Sequence, residues 1–190
     1  MFELIKRKLV RGGPSVVGSC AFTGKIFVIG LSGTGTRSLH MAFRMLGIHS
    51  RHYPRAMEEF EEFQALSDIP VTCRYRYLDK LFPNSKFIFT TREVESWLGN
   101  RKRKPADKKL ASFWIKLNRL MTYECLEYDE AKLRAAHERW HSEIRDYFKG
   151  REDFLEMNII KGDGWEKLCP FIDATNVGAL EFPRVKKIRK

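Results

Sequence analysis

The stretch Lys25-Ile-Phe-Val-Ile-Gly30, Leu31-Ser-Gly-Thr-Gly-Thr36, Arg37-Ser-Leu-His-Met-Ala-Phe-Arg-Met-Leu-Gly47 decides the fold. An apolar run of strand length ends at Gly30. Apolar residues return at helical spacing at Leu39, Phe43 and Leu46, and Gly47 stops them. The order is strand, glycine-rich loop, helix. Gly30, Gly33 and Gly35 are interleaved with Ser32, Thr34 and Thr36. Small residues let successive backbone N–H groups turn inward, and the helix that follows aims its positive dipole end at the same point. The loop therefore predicts a cradle for a phosphate or sulfate group.

Two common cradles fail in detail. A Walker loop needs Gly, four residues, then Gly-Lys-Ser/Thr. Gly30 and Gly35 have that spacing, but Thr36 stands where the lysine belongs and Arg37 comes one place late. A dinucleotide fingerprint wants glycine at position 38 and an acid about 20 residues further on. Position 38 is Ser38, and no acid lies between the loop and Glu58.

Working outward, Arg11 to Gly24 reads as a loop or short hairpin leading into the first strand, and Ile48 to Tyr53 as a second strand stopped by Pro54. Arg55 to Leu66 has helical spacing, with Met57, Phe60 or Phe63, and Leu66 turned inward, until Ser67-Asp68-Ile69-Pro70 breaks it. A short helix from Tyr75 to Phe82 and a turn at Phe82-Pro-Asn-Ser85 lead into Lys86-Phe-Ile-Phe-Thr-Thr-Arg92, a buried strand with a cation at its carboxyl end. Ligands bind at that end of an open parallel sheet. Arg101 to Lys104 reads as a basic exposed connection. Leu110, Phe113, Leu117 and Leu120 trace one helix face; Leu133, Ala136 or His137, Trp140, Ile144 and Tyr147 or Phe148 trace a longer one that stops at Gly150. Phe154 to Ile160 is a last strand, and Gly162 to Cys169 opens a final helix. Strands alternating with helices predict an α/β three-layer sandwich with a mostly parallel central sheet, like that of the P-loop nucleoside triphosphate hydrolases.

At 190 residues the chain is expected to form one domain over 1–190, with 1–24 as an N-terminal extension and 184–190 as a basic tail. Lys and Arg number 35 against 24 Asp and Glu, a net charge of +11, which favours anionic partners. Cys20, Cys73, Cys125 and Cys169 form no CxxC pair, so reduced thiols and a cytoplasmic location are expected. No leader pattern follows the basic start, and no apolar run approaches the roughly 18 to 20 residues of a membrane helix. His40, His49, His52, His137 and His141 show no metal-ligand spacing with a carboxylate, so no metal is expected.

Three ordered blocks carry a family resemblance. Gly30-Leu-Ser-Gly-Thr-Gly-Thr-Arg-Ser-Leu39, then Phe82-Pro-Asn-Ser-Lys-Phe-Ile-Phe-Thr-Thr-Arg92 with Trp97, then Gly162-Asp-Gly-Trp-Glu-Lys-Leu-Cys169 with Phe182-Pro183 resemble the successive blocks of the P-loop-like sulfotransferases, in register over about residues 25 to 186. The resemblance implies transfer of a sulfuryl group from 3′-phosphoadenosine-5′-phosphosulfate to a hydroxyl or amine. It gives Ser32, Gly33, Thr34, Gly35, Thr36, Arg37 and Ser38 to the 5′-phosphosulfate, and Arg92 to the 3′-phosphate. Asn100 stands where the family has a serine that helps Arg92, and amide nitrogen can also donate to phosphate. Gly33 stands where the family carries a lysine or arginine whose cation stabilises the leaving oxygen. Arg37, Lys86 or a basic segment are the replacements within the sequence, and Lys186 departs from the family's closing asparagine.

The acceptor needs a base, for which the family uses histidine or glutamate. His52, Glu58, Glu59, Glu61 and Asp68 lie in the right interval. His52, following a strand and able to titrate near neutrality, leads; His52, Asp68 and Arg37 are thus the catalytic candidates. Trp97 and Trp165 are candidates to stack on adenine or to fill the core. The acceptor is unassigned, with an acidic or carbohydrate molecule favoured by the charge, and nucleic acid is not expected. Two other readings stay open: a P-loop nucleotide kinase, which would want a Walker lysine and a magnesium-holding acid at a strand end, where Thr36 and Arg92 stand instead; and a protein that kept the fold and binds a nucleotide or polyanion without catalysis.

Overall fold

A computed structural model describes residues 15–103, 112–175 and 177–185. The basic start, the stretch from Lys104 to Leu110 and the cation Lys186 lie outside the described residues.

Five short strands form the sheet: β1 (Ile26–Val28), β2 (Ser50–His52), β3 (Ala65–Ser67), β4 (Lys86–Thr90) and β5 (Phe154–Met157). Their order is β2-β3-β1-β4-β5, and every pairing is parallel. Around them run α1 (Thr36–Met45), α2 (Glu59–Glu62), α3 (Ile69–Thr72), α4 (Tyr75–Leu81), α5 (Val94–Lys102), α6 (Phe113–Tyr123), α7 (Glu130–Tyr147) and α8 (Trp165–Phe171). No helix among the described residues is long and apolar enough to cross a membrane.

Strand residues alternate between two apolar cores, as the two-residue period of a strand requires. Phe27, Leu66, Phe87 and Phe89 face one, with Trp97, Leu133, Trp140, Ile144 and Phe148 from α5 and α7. Ile26, Val28, Ala65, Ile88 and Met157 face the other, closed by Leu39 and Phe43 of α1 and Leu168 of α8. Helices therefore cover both faces of an all-parallel sheet, and the three-layer α/β expectation holds. Burying each large apolar side chain contributes roughly 1.5–3 kcal/mol, which makes the two cores the main source of stability.

Parallel pairing puts the carboxyl ends of all strands on one edge. Val28 lies level with Ser67 and Ile88, and His52 with Ser67. The residues that follow, Gly30 to Thr36, Tyr53, Asp68 and Arg92, are delivered together there.

Several expectations change. The helix expected from Arg55 to Leu66 is only the four-residue α2, and Ala65–Ser67 is instead β3, buried throughout. Phe60 is buried but Met57 is 54% exposed. The apparent helical spacing joined two elements, because a three-residue strand is too short to show its own period. The last strand stops at Met157, where Asn158 turns, its N–H donating to Asp163 Oδ2 (2.7 Å). Residues 15–24 form no hairpin; Cys20 makes one antiparallel bridge to Ala174, tying the two ends of the described chain together. In α6 the expected inward face is reversed: Phe113 is 78% and Leu120 44% exposed, while Asn118, Thr122 and Tyr123 are buried. Asn118 carries Arg74, the residue just before α4, on its side-chain oxygen (2.5 Å), and Trp140 of α7 donates to Thr122 O (2.8 Å), so polar pairing sets that helix's orientation. The longer face on α7 holds throughout, with Leu133, Ala136, His137, Trp140, Ile144 and Phe148 buried. All four cysteines are free thiols.

Candidate active site

The loop between β1 and α1 is built by close approach. A Cβ on Gly30 would lie 1.8 Å from Thr90 Oγ1, so only glycine lets the loop leave the sheet beside β4. Gly33 (φ 97°) and Gly35 (φ 118°) adopt left-handed backbone on either side of Thr34, the alternation that turns amides to one side. The Thr34 hydroxyl is fully buried, donates to Leu31 O (2.7 Å) and lies 2.7 Å from Thr90 Oγ1. Ser32 N–H donates to the Tyr123 hydroxyl (3.1 Å), and Trp97 Nε1 donates to Ser32 O (3.0 Å), which pins the loop's first half to α5 and α6. The N–H groups of Gly33, Gly35, Thr36 and Arg37 have no hydrogen-bond partner among the described residues. Four unpaired donors at the positive end of α1 form an anion cradle.

Asp68 stands beside it, at the end of β3. It is 6% exposed and held at φ 84°, an uncommon backbone for an aspartate. Oδ1 accepts the Ser32 hydroxyl and Ile69 N–H (2.7 Å). Oδ2 lies 3.2 Å from His52 Nε2 and accepts the Thr36 hydroxyl at 3.5 Å. His52 Nδ1 is 3.0 Å from the Ser67 hydroxyl, and the Arg37 side chain donates its Nε–H to His52 Nε2 (3.3 Å). Burial lowers the His52 pKa, Asp68 opposes that, and Arg37 lowers it further. The ring is therefore neutral near pH 7 and able to take a proton.

On the other side, Arg92 closes β4. Its Nη1 donates to Gly33 O (3.2 Å), and its Nε and Nη2 donate to Ser96 Oγ (3.0 and 2.9 Å). Burial and the neighbouring Arg103 push its pKa down from the usual arginine value. Asn100 follows Ser96 by one helical turn on α5, so the two share one row, with Arg92 hydrogen-bonded to Ser96.

The sequence candidates thus divide. Ser32, Gly33, Gly35, Thr36, Arg37, His52, Asp68 and Arg92 meet at one edge. Thr34 is committed to the loop itself, with its N–H (3.2 Å) and its hydroxyl both on Leu31 O, and the Ser38 hydroxyl accepts Val185 N–H (3.2 Å). Glu59 is committed to Arg51 (2.6 Å), and Glu58 and Glu61 are exposed beside it on and before α2. Lys86 is excluded as a replacement cation: its Nζ holds Phe171 O and Asp173 Oδ2 (2.5 and 2.7 Å) at the amino end of β4, the wrong edge of the sheet. Trp97 is wholly buried core. Trp165 is 6% exposed against Phe182. Tyr123, Thr90 and Ser96 are site partners that spacing did not reveal; only Ser96, four residues after Arg92, had a legible signal.

A family model described as a sulfotransferase domain matches residues 55–190, more than half of the chain. The chain belongs to the sulfotransferase domain family. The match begins after the cradle and includes Asp68 and Arg92. This sulfotransferase-family chain is also similar to the "Ava biosynthesis cluster protein M" of Aspergillus versicolor, 24% identical over 209 residues that cover 85% of this chain and 80% of that protein.

Histidines give the family member a pH signature. His40, His52, His137 and His141 are all held below the usual 6.5, with burial the largest cause in each; His40 falls to about 4 and His141 to about 3. In that window the unfolded chain binds protons that the folded chain refuses. Stability is therefore full above about pH 6.5 and falls as the pH drops towards 4, by at most about 1.4 kcal/mol per pH unit for each histidine. Urea midpoints are expected to stay level from about pH 7.5 to about pH 6.5 and to decline from there to about pH 5; a series flat down to about pH 5 contradicts this.

Proposed function

We propose that the chain transfers a sulfuryl group from 3′-phosphoadenosine-5′-phosphosulfate to a hydroxyl or amine acceptor. The observation that carries this reading is the set of four unpaired loop amides, flanked by a neutral histidine on one side and a strand-end arginine on the other. The amides would hold the 5′-phosphosulfate, and Arg92 with Ser96 and Asn100 the 3′-phosphate. Arginine's fork suits such phosphate contacts.

His52 takes the acceptor's proton as the acceptor oxygen or nitrogen bonds to sulfur. The bond from sulfur to the phosphate oxygen breaks, and 3′-phosphoadenosine-5′-phosphate leaves. Asp68, 3.2 Å from Nε2, stabilises the imidazolium that forms as Nε2 takes that proton, and ties the pair to the donor loop through Ser32 and Thr36. Charge on the leaving oxygen falls to the loop amides and to Arg37, the cation nearest the His52–Asp68 pair, because Gly33 brings no side chain. Positioned donors of this kind are worth roughly 10²–10³ in rate each.

One observation favours a second reading, a nucleotide kinase. An acid does end the strand next to β1, namely Asp68, within 3.5 Å of Thr36 Oγ1, whereas the sequence alone pointed to Arg92 in that place. Its oxygens are nevertheless taken by Ser32, Ile69 and His52, and no loop lysine accompanies it.

Incubation of the chain with sulfur-labelled donor and pools of phenols, sugars, hydroxy acids and amines tests the proposal. Label is expected in at least one pool, with His52→Ala reducing it by about 10²-fold or more. Donor binding without label in any pool would leave the protein a nucleotide binder.

A further inference from the structure

Beside the cradle, on the side of α6, are two arginines that form no ion pair with an acid among the described residues. Arg101 at the end of α5 and Arg119 in α6 place their guanidinium carbons 5.3 and 6.0 Å from the centre of the same ring, Tyr123. Neither makes an ion pair among the described residues, whereas Arg51, Arg134, Arg139, Arg145 and Arg151 each hold a carboxylate. The ring face attracts both cations, yet two like charges near one ring repel, and poor solvation strengthens that repulsion. Burial, and then Arg101, lower the Arg119 pKa, in line with that repulsion.

Three polar atoms here are shut off from solvent without a partner among the described residues: Nε of Arg101, Nε of Arg119 and the hydroxyl of Tyr53. Tyr53 follows His52 and feels the charges of Asp68, Tyr123 and Arg119, so the three belong to one neighbourhood. Unpaired buried donors are costly, and a ligand that accepts from them removes the cost. The neighbourhood adjoins the cradle through Tyr123, which takes Ser32 N–H. It is set apart from the Arg92 side: Trp97 and Arg101 form one row of α5, and Ser96 and Asn100 the adjacent row.

We propose that Arg101, Arg119 and Tyr53 form an oxyanion subsite for the acceptor, which carries a carboxylate, sulfate or phosphate group in addition to the hydroxyl or amine that receives the sulfuryl group. This rests on the sulfuryl-transfer reading. A guanidinium pair with a phenol around Tyr123, which meets the loop at Ser32, selects acceptors by charge, and orients them by holding the end that does not react.

The test saturates the chain with 3′-phosphoadenosine-5′-phosphate, so that the cradle is filled, and then titrates benzoate and inorganic sulfate, with benzamide as the uncharged control. At least one anion is expected to bind and benzamide to bind at least about tenfold more weakly than benzoate. Arg101→Gln and Arg119→Gln are each expected to weaken anion binding about tenfold, as loss of a charge-assisted hydrogen bond should, with nucleotide affinity within about twofold and partial recovery in Arg119→Lys. Which anion binds separates a carboxylate acceptor from a sulfated or phosphorylated one. Nucleotide binding with no anion binding, with equal binding of benzamide, or with anion affinity unmoved by the variants overturns the subsite and leaves the transfer reading standing. A loss of nucleotide affinity in the variants assigns the arginines to the donor and also overturns it. Failure of the unaltered chain to bind the nucleotide removes the transfer reading and the subsite together.

Discussion

Alanine in place of Gly30 is expected to destabilise the chain by about 3 kcal/mol and to abolish donor binding. Its methyl group would meet Thr90 Oγ1 at 1.8 Å, Thr90 O at 2.6 Å and Thr34 Oγ1 at 2.7 Å. One of these atoms is backbone in β4, a strand paired on both sides, and the other two are buried hydroxyls bonded to each other. Relief therefore requires the loop to lift away from the sheet, which disperses the unpaired amides of Gly33, Gly35, Thr36 and Arg37. Denaturant midpoints and nucleotide calorimetry on the same sample check both effects. Removing one obstacle in the double variant Gly30→Ala/Thr90→Ala recovers part of the stability. A Gly30→Ala protein that keeps both its midpoint and its ligand shows that the loop does not sit against β4 as described.

The second large effect is on chemistry. Asp68→Asn keeps the volume and the branching of the side chain, so it adds no strain beyond that already stored at φ 84° and ψ −179°, and the change is confined to charge and to one oxygen becoming an NH₂ donor. That donor faces either the Ser32 hydroxyl and Ile69 N–H or the Thr36 hydroxyl and His52 Nε2, and it conflicts with existing donors on the first side. The folding cost is expected at about 1–3 kcal/mol. Sulfuryl transfer is expected to fall about 10²–10⁴-fold, since His52 loses the carboxylate that stabilises its protonated form. Single-turnover measurements with a saturating donor separate this from any change in binding. A rate within about threefold of the unaltered chain removes Asp68 from the mechanism; an unchanged donor affinity with a collapsed rate supports its role in the proton-transfer step.

Much of this arrangement was legible in the residues, and the exceptions have physical reasons. The cradle was legible because glycine at Gly30, Gly33 and Gly35 is demanded by backbone: a 1.8 Å approach at the first and left-handed φ at the other two. Arg92 was legible because a buried strand that ends in a cation has few places to put it, and a parallel sheet puts it at the ligand edge. β3 was hidden. Ala-Leu-Ser is too short to show alternation, and Met57, Phe60, Phe63 and Leu66 happen to fall at helical spacing although Met57 faces solvent. Without β3 the adjacency of Asp68 to the loop cannot be seen, which is why Asp68 read equally well as a turn residue and why the strand-end acid was missed.

The second blind spot is α6. Hydrophobic spacing assigned its inner face to Phe113, Leu117 and Leu120, but Tyr123, Asn118 and Thr122 occupy that side because each serves a hydrogen bond from another element. Periodicity registers apolar burial and carries no information on long-range polar pairing. The same limit concealed Arg119 and Tyr53, whose significance lies in atoms left unpaired.

Calorimetry of the chain with 3′-phosphoadenosine-5′-phosphate, set against Mg-ATP and repeated with Arg92→Ala, tests the central claim most directly. The account predicts saturable binding of the 3′-phosphorylated nucleotide, at least about tenfold weaker binding in Arg92→Ala through loss of its charge-assisted contacts, and no comparable binding of Mg-ATP. Tighter binding of Mg-ATP, or affinity for the 3′-phosphorylated nucleotide that is unaltered in Arg92→Ala, would contradict it.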